Sequence, residues 1–280
     1  MVRKKALMVT HSYYPRDPRV RREAEALVAE GYEVDVICLR DEGERWRDKV
    51  NGVGIHRLPV RRHRRSGAIV YALEYAAFFV MACACVALLF AARGYRLYQT
   101  HTIPDFLVFS TILPRILGAP VVLDMHEVMP EFFAAKFGLG ARHPLVMALE
   151  FLERISTRFA SAVLTVSDPI RDILQRRGTP ARKVTVVMNS ADDRIFGGTR
   201  AETRKAQGDT GALRLAYHGM LSELYDLEPV IRAIAGLRAK GVGGVEFHIL
   251  GGGAMRERYL SLARELGLAA EVVFHDEVAV

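Results

Sequence analysis

Three histidines follow closely after short apolar segments of the 280-residue sequence: His11, His101 and His126. Histidine is the side chain whose charge changes most readily near neutral pH, so it suits proton transfer. A single histidine at such a position is more often structural than catalytic. Three at equivalent positions would meet at the carboxyl edge of a parallel sheet, where ligands of open α/β folds bind. Together they predict a site at that edge.

Four charged residues share the loops of these histidines: Arg19, Asp105, Asp124 and Glu127. The carboxylates of Asp124 and Glu127, with that of Glu131, could position a hydroxyl group or a ribose, or could instead cap the helix that follows. Asp124 and Glu127 flank His126 most closely. They are therefore candidates to orient its imidazole.

Glycines mark two further turns. Gly251, Gly252 and Gly253 stand between a predicted strand and a predicted helix, and Gly219 follows another predicted strand. Glycine lets the backbone approach a phosphate at a helix N-terminus, but it could equally serve tight packing of the turn. The spacing differs from the Gly-x-Gly-x-x-Gly of a dinucleotide fold, which argues against an NAD enzyme. No P-loop, zinc pattern or Gly-x-Ser-x-Gly elbow occurs, so we expect neither a cofactor nor a metal.

Alternating strands and helices must position these residues. The predicted strands of the first part are residues 6–10, 33–39, 54–59, 97–100, 121–125, 162–166 and 184–188. The predicted helices are residues 18–30, 104–117, 144–160 and 168–177, with Asp17 and Ser167 as N-caps of the first and last. Short apolar strands alternating with helices imply a parallel sheet covered on both faces.

The amino-acid composition changes after residue 188. Residues 197–211 are polar and lack apolar periodicity, which predicts an interdomain linker at 197–212. A second alternation follows, with strands at 213–218, 245–250 and 272–275 and helices at 227–240 and 254–266. We expect residues 1–196 to form one doubly wound domain and residues 213–280 the first half of a second.

A basic cluster precedes a long apolar segment. Arg57, Arg61, Arg62, Arg64 and Arg65 contribute to the net charge of +7, and only Glu74 is charged within residues 69–92. The cluster could be a solvated loop or could bind an anionic partner, but without interleaved aromatics it does not suit nucleic acid. The apolar segment is long enough to span a bilayer, yet Glu74 would be costly in lipid. A buried or interfacial helix is favoured over a span.

The three cysteines, Cys38, Cys83 and Cys85, form neither a disulfide framework nor the usual zinc spacing. They predict buried thiols in a reducing compartment. The apolar residues 6–9 are fewer than a signal-peptide core requires and predict a strand instead.

Five segments together resemble glycosyltransferase family 4, a retaining family of bacterial polysaccharide and lipid-glycan assembly with the GT-B fold. They are residues 17–24 (DPRVRREA), 104–107 (PDFL), 123–132 (LDMHEVMPEF), 187–190 (VMNS) and 217–219 (YHG). The resemblance implies two Rossmann-like domains, with the acceptor held by the first and a nucleotide-sugar donor held mainly by the second. The acceptor would be a membrane-linked glycan, a lipid or a polysaccharide, at the cytoplasmic face of the membrane.

The resemblance also implies roles for single residues. His126 is the candidate catalytic residue and would face the transferred sugar in an open cleft. The candidate acceptor or cleft residues are His11, Arg19, His101, Asp105, Asp124 and Glu127. The candidate donor-binding residues are Gly219, Gly251, Gly252 and Gly253.

Two departures from the family motivate an alternative. The loop Ser222-Glu223-Leu224-Tyr225-Asp226 is acidic where the family places a cation for the diphosphate, a loss that could cost several kcal/mol in the transition state. The family's Glu-x7-Glu motif would lie beyond Val280, so we expect the chain to stop before its second domain is complete. The alternative is a truncated or degenerate relative that binds an acceptor or a membrane without catalysing.

Overall fold

The chain folds into two units, each built from alternating strands and helices. The computed structural model describes residues 4–62, 68–190, 213–223 and 225–275. Its two units are Met1–Ser190 and Ala191–Val280. The predicted linker, residues 197–212, lies outside the described residues, so the domain boundaries 1–196 and 213–280 remain a proposal.

The first unit contains one eight-stranded sheet. Its strands are β1 (Lys5–Thr10), β2 (Glu33–Leu39), β3 (Arg47–Val50), β4 (Val53–Leu58), β5 (Leu97–His101), β6 (Val121–Met125), β7 (Ala162–Thr165) and β8 (Val184–Val186). The order is β3-β4-β2-β1-β5-β6-β7-β8, and only β3 runs antiparallel to its neighbour. β3 escaped the sequence prediction because its residues, Arg-Asp-Lys-Val, lack apolar alternation.

Helices cover both faces of this sheet. They are α1 (Pro18–Ala29), α2 (Ala68–Arg93), α3 (Ile112–Ile116), α4 (Met129–Phe137), α5 (Pro144–Phe159) and α6 (Asp168–Arg176). Asp17 caps α1 as predicted and accepts a hydrogen bond from the Arg19 amide at 3.1 Å. Ser167 occupies the N-cap position of α6, but its side chain makes no capping hydrogen bond. The predicted helix at 104–117 was wrong in type, because Asp105–Thr111 is a 3₁₀ helix that leads into α3.

Period-two alternation along β1 explains the two cores. Leu7 and Val9 belong to the cluster that α2 covers, whereas Ala6 and Met8 belong to the cluster that α1 covers. Both sets are buried, so the strand is apolar throughout, as a parallel strand between two helical layers must be.

The second unit has a three-stranded parallel sheet in the order β11-β10-β9. Its elements are β9 (Leu213–His218), α7 (Glu228–Ala239), β10 (Val245–Leu250), α8 (Arg256–Glu265) and β11 (Val272–His275). All five were predicted within a few residues. Each strand places its following loop at the same edge of the sheet.

Three glycines are required where the loops after β9 and β10 meet. The backbone φ angles of Gly219, Gly251 and Gly253 are 149°, 144° and 149°, which L side chains rarely adopt. A Cβ at Gly251 would collide with the Gly219 carbonyl oxygen, and a Cβ at Gly253 with that of Leu221. Backbone hydrogen bonds join the loops, from Leu221 to Gly252 at 2.9 Å and from Met255 to Leu221 at 3.1 Å. Tight loop packing therefore accounts for these glycines.

Arg177, just after α6, contacts three glutamates of α4 and α5, of which Glu153 is buried. Arg177 contacts Glu131, Glu150 at 3.1 Å and Glu153 at 2.9 Å. Burial raises the pKa of Glu153 to about 7, although Arg177 opposes the shift. Burial, followed by the charge of Glu153, raises the pKa of Asp105 well above its ordinary range. The folded protein therefore holds protons on carboxyl groups that the unfolded chain would release.

Substituting Gly251 by alanine should destabilise the second unit by at least about 2 kcal/mol, from backbone strain plus collision with Gly219. Gly236 is the matched control, because it lies inside α7 with nothing within 4 Å of its added Cβ. Gly236→Ala should instead stabilise by roughly 0.5–1 kcal/mol, the usual gain in a helix. Urea unfolding of the two variants checks this, and equal effects would contradict the loop packing described.

The Glu153 shift predicts a pH dependence of stability. Its folded pKa of about 7 exceeds its ordinary value of 4.5, so its contribution is complete below pH 4.5 and is lost as the pH rises through 7. Glu153→Gln cannot ionise, and should flatten the change in unfolding free energy between about pH 5 and 8 by on the order of 2 kcal/mol. Glu150→Gln, at the half-buried Glu150 beside the same arginine, is the control and should change the slope far less, because the charge of Glu150 is the smallest cause of the Glu153 shift. Identical slopes for the wild type and Glu153→Gln would show the prediction to be wrong.

Candidate active site

Pairing of β5 with β6 brings two of the three histidines together. His101 ends β5 and is the register partner of Asp124 in β6, and His126 follows one residue after β6. The two imidazole rings are stacked, with a 5° angle between planes and 5.8 Å between centroids. These two strand ends therefore converge, as predicted from the parallel sheet.

Asp124 lies between the two rings. Its Oδ2 atom is 2.8 Å from His101 Nδ1 and 2.9 Å from His126 Nε2. The His101 contact is a hydrogen bond, whereas the His126 contact has the length of one but lacks its angular geometry. An ionised carboxylate can only accept, so it favours a proton on both nitrogens that face it. His126 Nδ1 is buried and without a hydrogen-bond partner in the described structure.

Charge compensation sets the ionisation of this group. Burial opposes the charge of Asp124, but hydrogen bonds and the charges of His101 and His126 hold the pKa of this carboxyl well below its usual range. Burial likewise opposes the charged form of His101, yet the hydrogen bond to Asp124 raises the pKa of this imidazole. A buried carboxylate would be costly alone, and the two rings offset that cost.

Glu23 completes the cluster and was missed in the sequence reasoning. It lies on α1, four residues after Arg19 and so on the same helix face, which is the pattern that could have revealed it. Gln99 donates a hydrogen bond to its Oε2 atom, and burial, with the charge of Asp124, raises its pKa. Among the described residues, ligand atoms of Glu23, His101, Asp124 and His126 lie within 4.8 Å of one another and could hold a metal.

Arg19 lies beside this cluster. Its Nε atom is 3.2 Å from Asp17 Oδ1. Burial disfavours its charge, but the Asp17 carboxylate, and then Glu127 and Asp124, raise the pKa of its guanidinium. Glu127 itself is exposed. Arg19 and Glu127 therefore lie between solvent and the buried His101–Asp124–His126 group.

Three predicted positions need correction. His11 does not join the other histidines, because its ring packs edge-on against Tyr75 and Phe78 of α2 at centroid distances of 4.7 and 5.0 Å. Burial, together with the charge of Arg62, lowers the pKa of His11 to about 3, so its ring is neutral. Asp105 is fully buried in its 3₁₀ helix and does not reach a cleft. His126 is only 6% exposed, so its side chain does not stand in an open cleft.

A separate cavity of about 570 Å³ lies at the opposite, amino-terminal edge of the sheet, around Asp35 and His56. The Asp35 carboxylate accepts hydrogen bonds from Arg93 and Tyr95, and His56 Nε2 lies 3.5 Å away. Its charge is thus satisfied within the protein. This cavity is distinct from the histidine cluster at the carboxyl edge.

The candidate donor-binding glycines lie at the carboxyl edge of the second sheet. Gly219 follows β9, and Gly251 to Gly253 follow β10 before α8 begins. Of the acidic residues in the neighbouring loop, Asp226 accepts a hydrogen bond at 2.9 Å from the amide of Glu228, the first residue of α7. Their part in donor binding remains a prediction.

Solved structures with the same architecture are glycosyltransferases. Sucrose-phosphate synthase from Thermosynechococcus elongatus matches with a TM-score of 0.71 at 16% identity, over 99% of this chain and 71% of that one. HepE from Anabaena, in complex with UDP, matches with 0.65 at 17% identity, over 98% and 70%. WaaG, a glycosyltransferase involved in lipopolysaccharide biosynthesis, matches with 0.63 at 17% identity, over 98% and 70%. The predicted GT-B fold is confirmed.

The sequence comparison assigns the family. No curated protein matches the chain. The family model described as "Glycosyl transferase 4-like domain" matches residues 17–190, which include α1, the histidine cluster and the end of the first unit. The chain therefore belongs to the glycosyltransferase 4-like family, whose members are glycosyl-transferring enzymes of the GT-B fold.

Proposed function

We propose that this protein transfers a sugar from a nucleotide-diphosphate-sugar donor to a membrane-linked glycan, lipid or polysaccharide acceptor. The observation that carries the proposal is the buried His101–Asp124–His126 group at the carboxyl ends of β5 and β6, within the family domain. Transfer with retention of configuration is inferred from family resemblance. The alternative is a relative that binds the acceptor but does not catalyse.

The donor class is supported by structural relatives and by the loops of the second unit. Structures of HepE contain UDP and UDP-glucose, and a starch synthase from Arabidopsis contains ADP. In this chain the turns at Gly219 and Gly251 expose backbone next to the start of α8. Backbone amides at a helix N-terminus can bind a diphosphate without a metal.

His126 can serve the sugar through its second nitrogen. When a neutral His126 ring carries its proton on the Nε2 atom that faces Asp124, its Nδ1 atom is a hydrogen-bond acceptor. A sugar hydroxyl is a donor of the right kind, and a buried acceptor without a partner costs about 1–3 kcal/mol. Asp124 would then be a positioning residue, since it fixes which nitrogen of His126 carries the proton.

Donor turnover by this chain separates the two functions. Purified protein should be offered UDP-glucose, other UDP-sugars, GDP-sugars and ADP-glucose, with release of free nucleotide diphosphate measured by chromatography. Slow release from one donor, saturating with its concentration, supports a transferase. Tight nucleotide-sugar binding without release would support the non-catalytic relative, and no binding of any donor would overturn the proposal.

Asp124→Asn should lower turnover by roughly a hundredfold or more, the usual scale for positioned proton-transfer groups. The amide can donate as well as accept, so it no longer selects the Nε2–H form of His126. Long-range proton–nitrogen NMR of the histidines reports that form directly, without any substrate. His143 is the internal reference, since its Nδ1 accepts from the Leu145 amide at 3.2 Å.

Glu127→Gln is the matched control, because Glu127 is an exposed carboxylate of the same loop. It should preserve the NMR signature of His126 and change turnover far less. An unchanged Nε2–H signal in Asp124→Asn would show that Asp124 does not position the ring, whatever the activity. His126→Ala should abolish the signal and also destabilise the protein, because the ring is buried.

A further inference from the structure

One long side of α2 is apolar and exposed. Every exposed side chain from residue 69 to residue 92 is an alanine or a larger aliphatic residue. The large members define the α2 apolar face: Ile69, Val70, Leu73, Val80 and Leu88. Four of them are exposed by 64% to 77%. Soluble proteins rarely leave so long an apolar strip in water without a partner.

The opposite side of the helix is anchored in the protein. Its buried residues follow one another at three- or four-residue spacing: Tyr71, Tyr75, Phe78, Ala82, Val86 and Leu89. Four of them belong to the core that also contains β1 and β2. Glu74 is buried on this side as well, so its carboxyl group does not interrupt the exposed apolar side.

By length and composition, α2 could cross a membrane. Its packing distinguishes three possible positions: in the protein core, across a bilayer, or at the bilayer surface. The most apolar 18-residue window within Ile69–Arg93 has a mean hydropathy of 2.4, and 28% of that window is buried. A core helix would be mostly buried, and this one is not. A spanning helix would have to leave the sheet that its aromatic side chains cover, at the cost of the main core. An interfacial position keeps the core intact and removes the outer face from water.

A second short helix extends the apolar surface. α3 contacts α2 and exposes four aliphatic side chains of its own: Ile112, Leu113, Ile116 and Leu117. These residues are 41% to 74% exposed. Exposed aliphatic side chains therefore occur on two neighbouring elements and are not a peculiarity of one helix.

Cations lie at both ends of α2. Arg61 and Arg62 are exposed before its start, and Arg96 is exposed after its end. Arg93, the last residue of the helix, is also exposed but is paired with Asp35 at 2.9 Å. Lys136 lies 3.9 Å above the ring of Tyr71, in the first turn. The predicted basic cluster needs one correction, however. Arg57 is buried and paired with Glu44 and Asp48, so it cannot take part.

We propose that the α2 apolar face, together with the cations at its two ends, docks on the surface of an anionic lipid bilayer. The helix has 26 residues and is about 39 Å long, so it would lie in the interface plane with its outer side in the acyl region. Its cations then reach the headgroups. A second copy of the chain could also cover the apolar face, but it would bring like charges against these cations.

The location of α2 gives docking a consequence, which rests on the proposed function. Tyr75 contacts His11 at the carboxyl edge of the sheet, and Tyr71 and Tyr75 pack with Met129 and Phe133 of α4, just after the His126 loop. A docked helix therefore places lipid beside the candidate site. An acceptor carried on a lipid could reach that site without leaving the bilayer.

Vesicle sedimentation without any donor or acceptor tests docking separately from catalysis. The wild-type chain should bind vesicles of phosphatidylglycerol and phosphatidylcholine, and bind phosphatidylcholine alone at least tenfold more weakly. Val80→Asp should weaken binding at least tenfold, because it puts a charge in the acyl region. Val242→Asp is the matched control, at a valine of the second unit that is 50% exposed, and should bind like the wild type.

Two further variants test the charge and the depth of insertion. Arg61→Gln with Arg62→Gln should weaken binding to anionic vesicles by roughly fivefold per arginine, and added salt should shrink that difference. With the sole tryptophan removed as Trp46→Phe, a Leu88→Trp probe should be quenched by brominated lipid, and a Val242→Trp probe should not. Equal binding to neutral and anionic vesicles, unaffected by salt, would overturn the proposal. So would a dimer in sedimentation equilibrium that Val80→Asp dissociates while vesicles bind no protein.

Discussion

The candidate site depends on the contact of the Asp124 carboxylate with His101 and His126. Asp124 is 3% exposed, so the cost of burying its charge must be offset by neighbouring groups, of which these two rings are nearest. Pairing of β5 with β6 sets His101 opposite Asp124, and the turn after β6 returns His126 to the same oxygen. Because the ions and rings hold one another, a change at any member must affect stability as well as chemistry.

The surrounding elements serve this group in different ways. α1 begins at its N-cap Asp17 and contributes Glu23 to the cluster. It also places Arg19 near Glu127. α4 begins directly after that loop, and Glu131 in its first turn is paired with Arg177. The buried Glu153 accepts a hydrogen bond from the same Arg177. The guanidinium of Arg177 therefore links the protonation of Glu153 to the position of α4.

Sequence patterns predicted most of the fold because its strands and helices have strong periods and good boundary residues. They also predicted His101, Asp124 and His126, since strand order alone brings those positions together. His11 could not be placed in the same way, because its orientation depends on α2, which approaches from a distant part of the chain. α2 itself was ambiguous in sequence, since both of its sides are apolar and period alone cannot say which one the sheet covers. β3 was invisible because an exposed edge strand needs no apolar face.

In the second unit, both the glycines and one acid of the neighbouring loop have local structural reasons. Its glycines would be needed for loop packing even in a protein that bound no phosphate, because the Gly219 and Leu221 carbonyls occupy the space of their side chains. Asp226, one of two acids in a loop where a cation was expected, accepts a hydrogen bond from the first amide of α7 and so has a local structural reason to be acidic. Among the described residues of that loop, Glu223 and Asp226 are the two carboxylates that an anionic donor would meet, and both are exposed. Solvent therefore screens both, and the electrostatic objection to donor binding is smaller than the sequence alone implies.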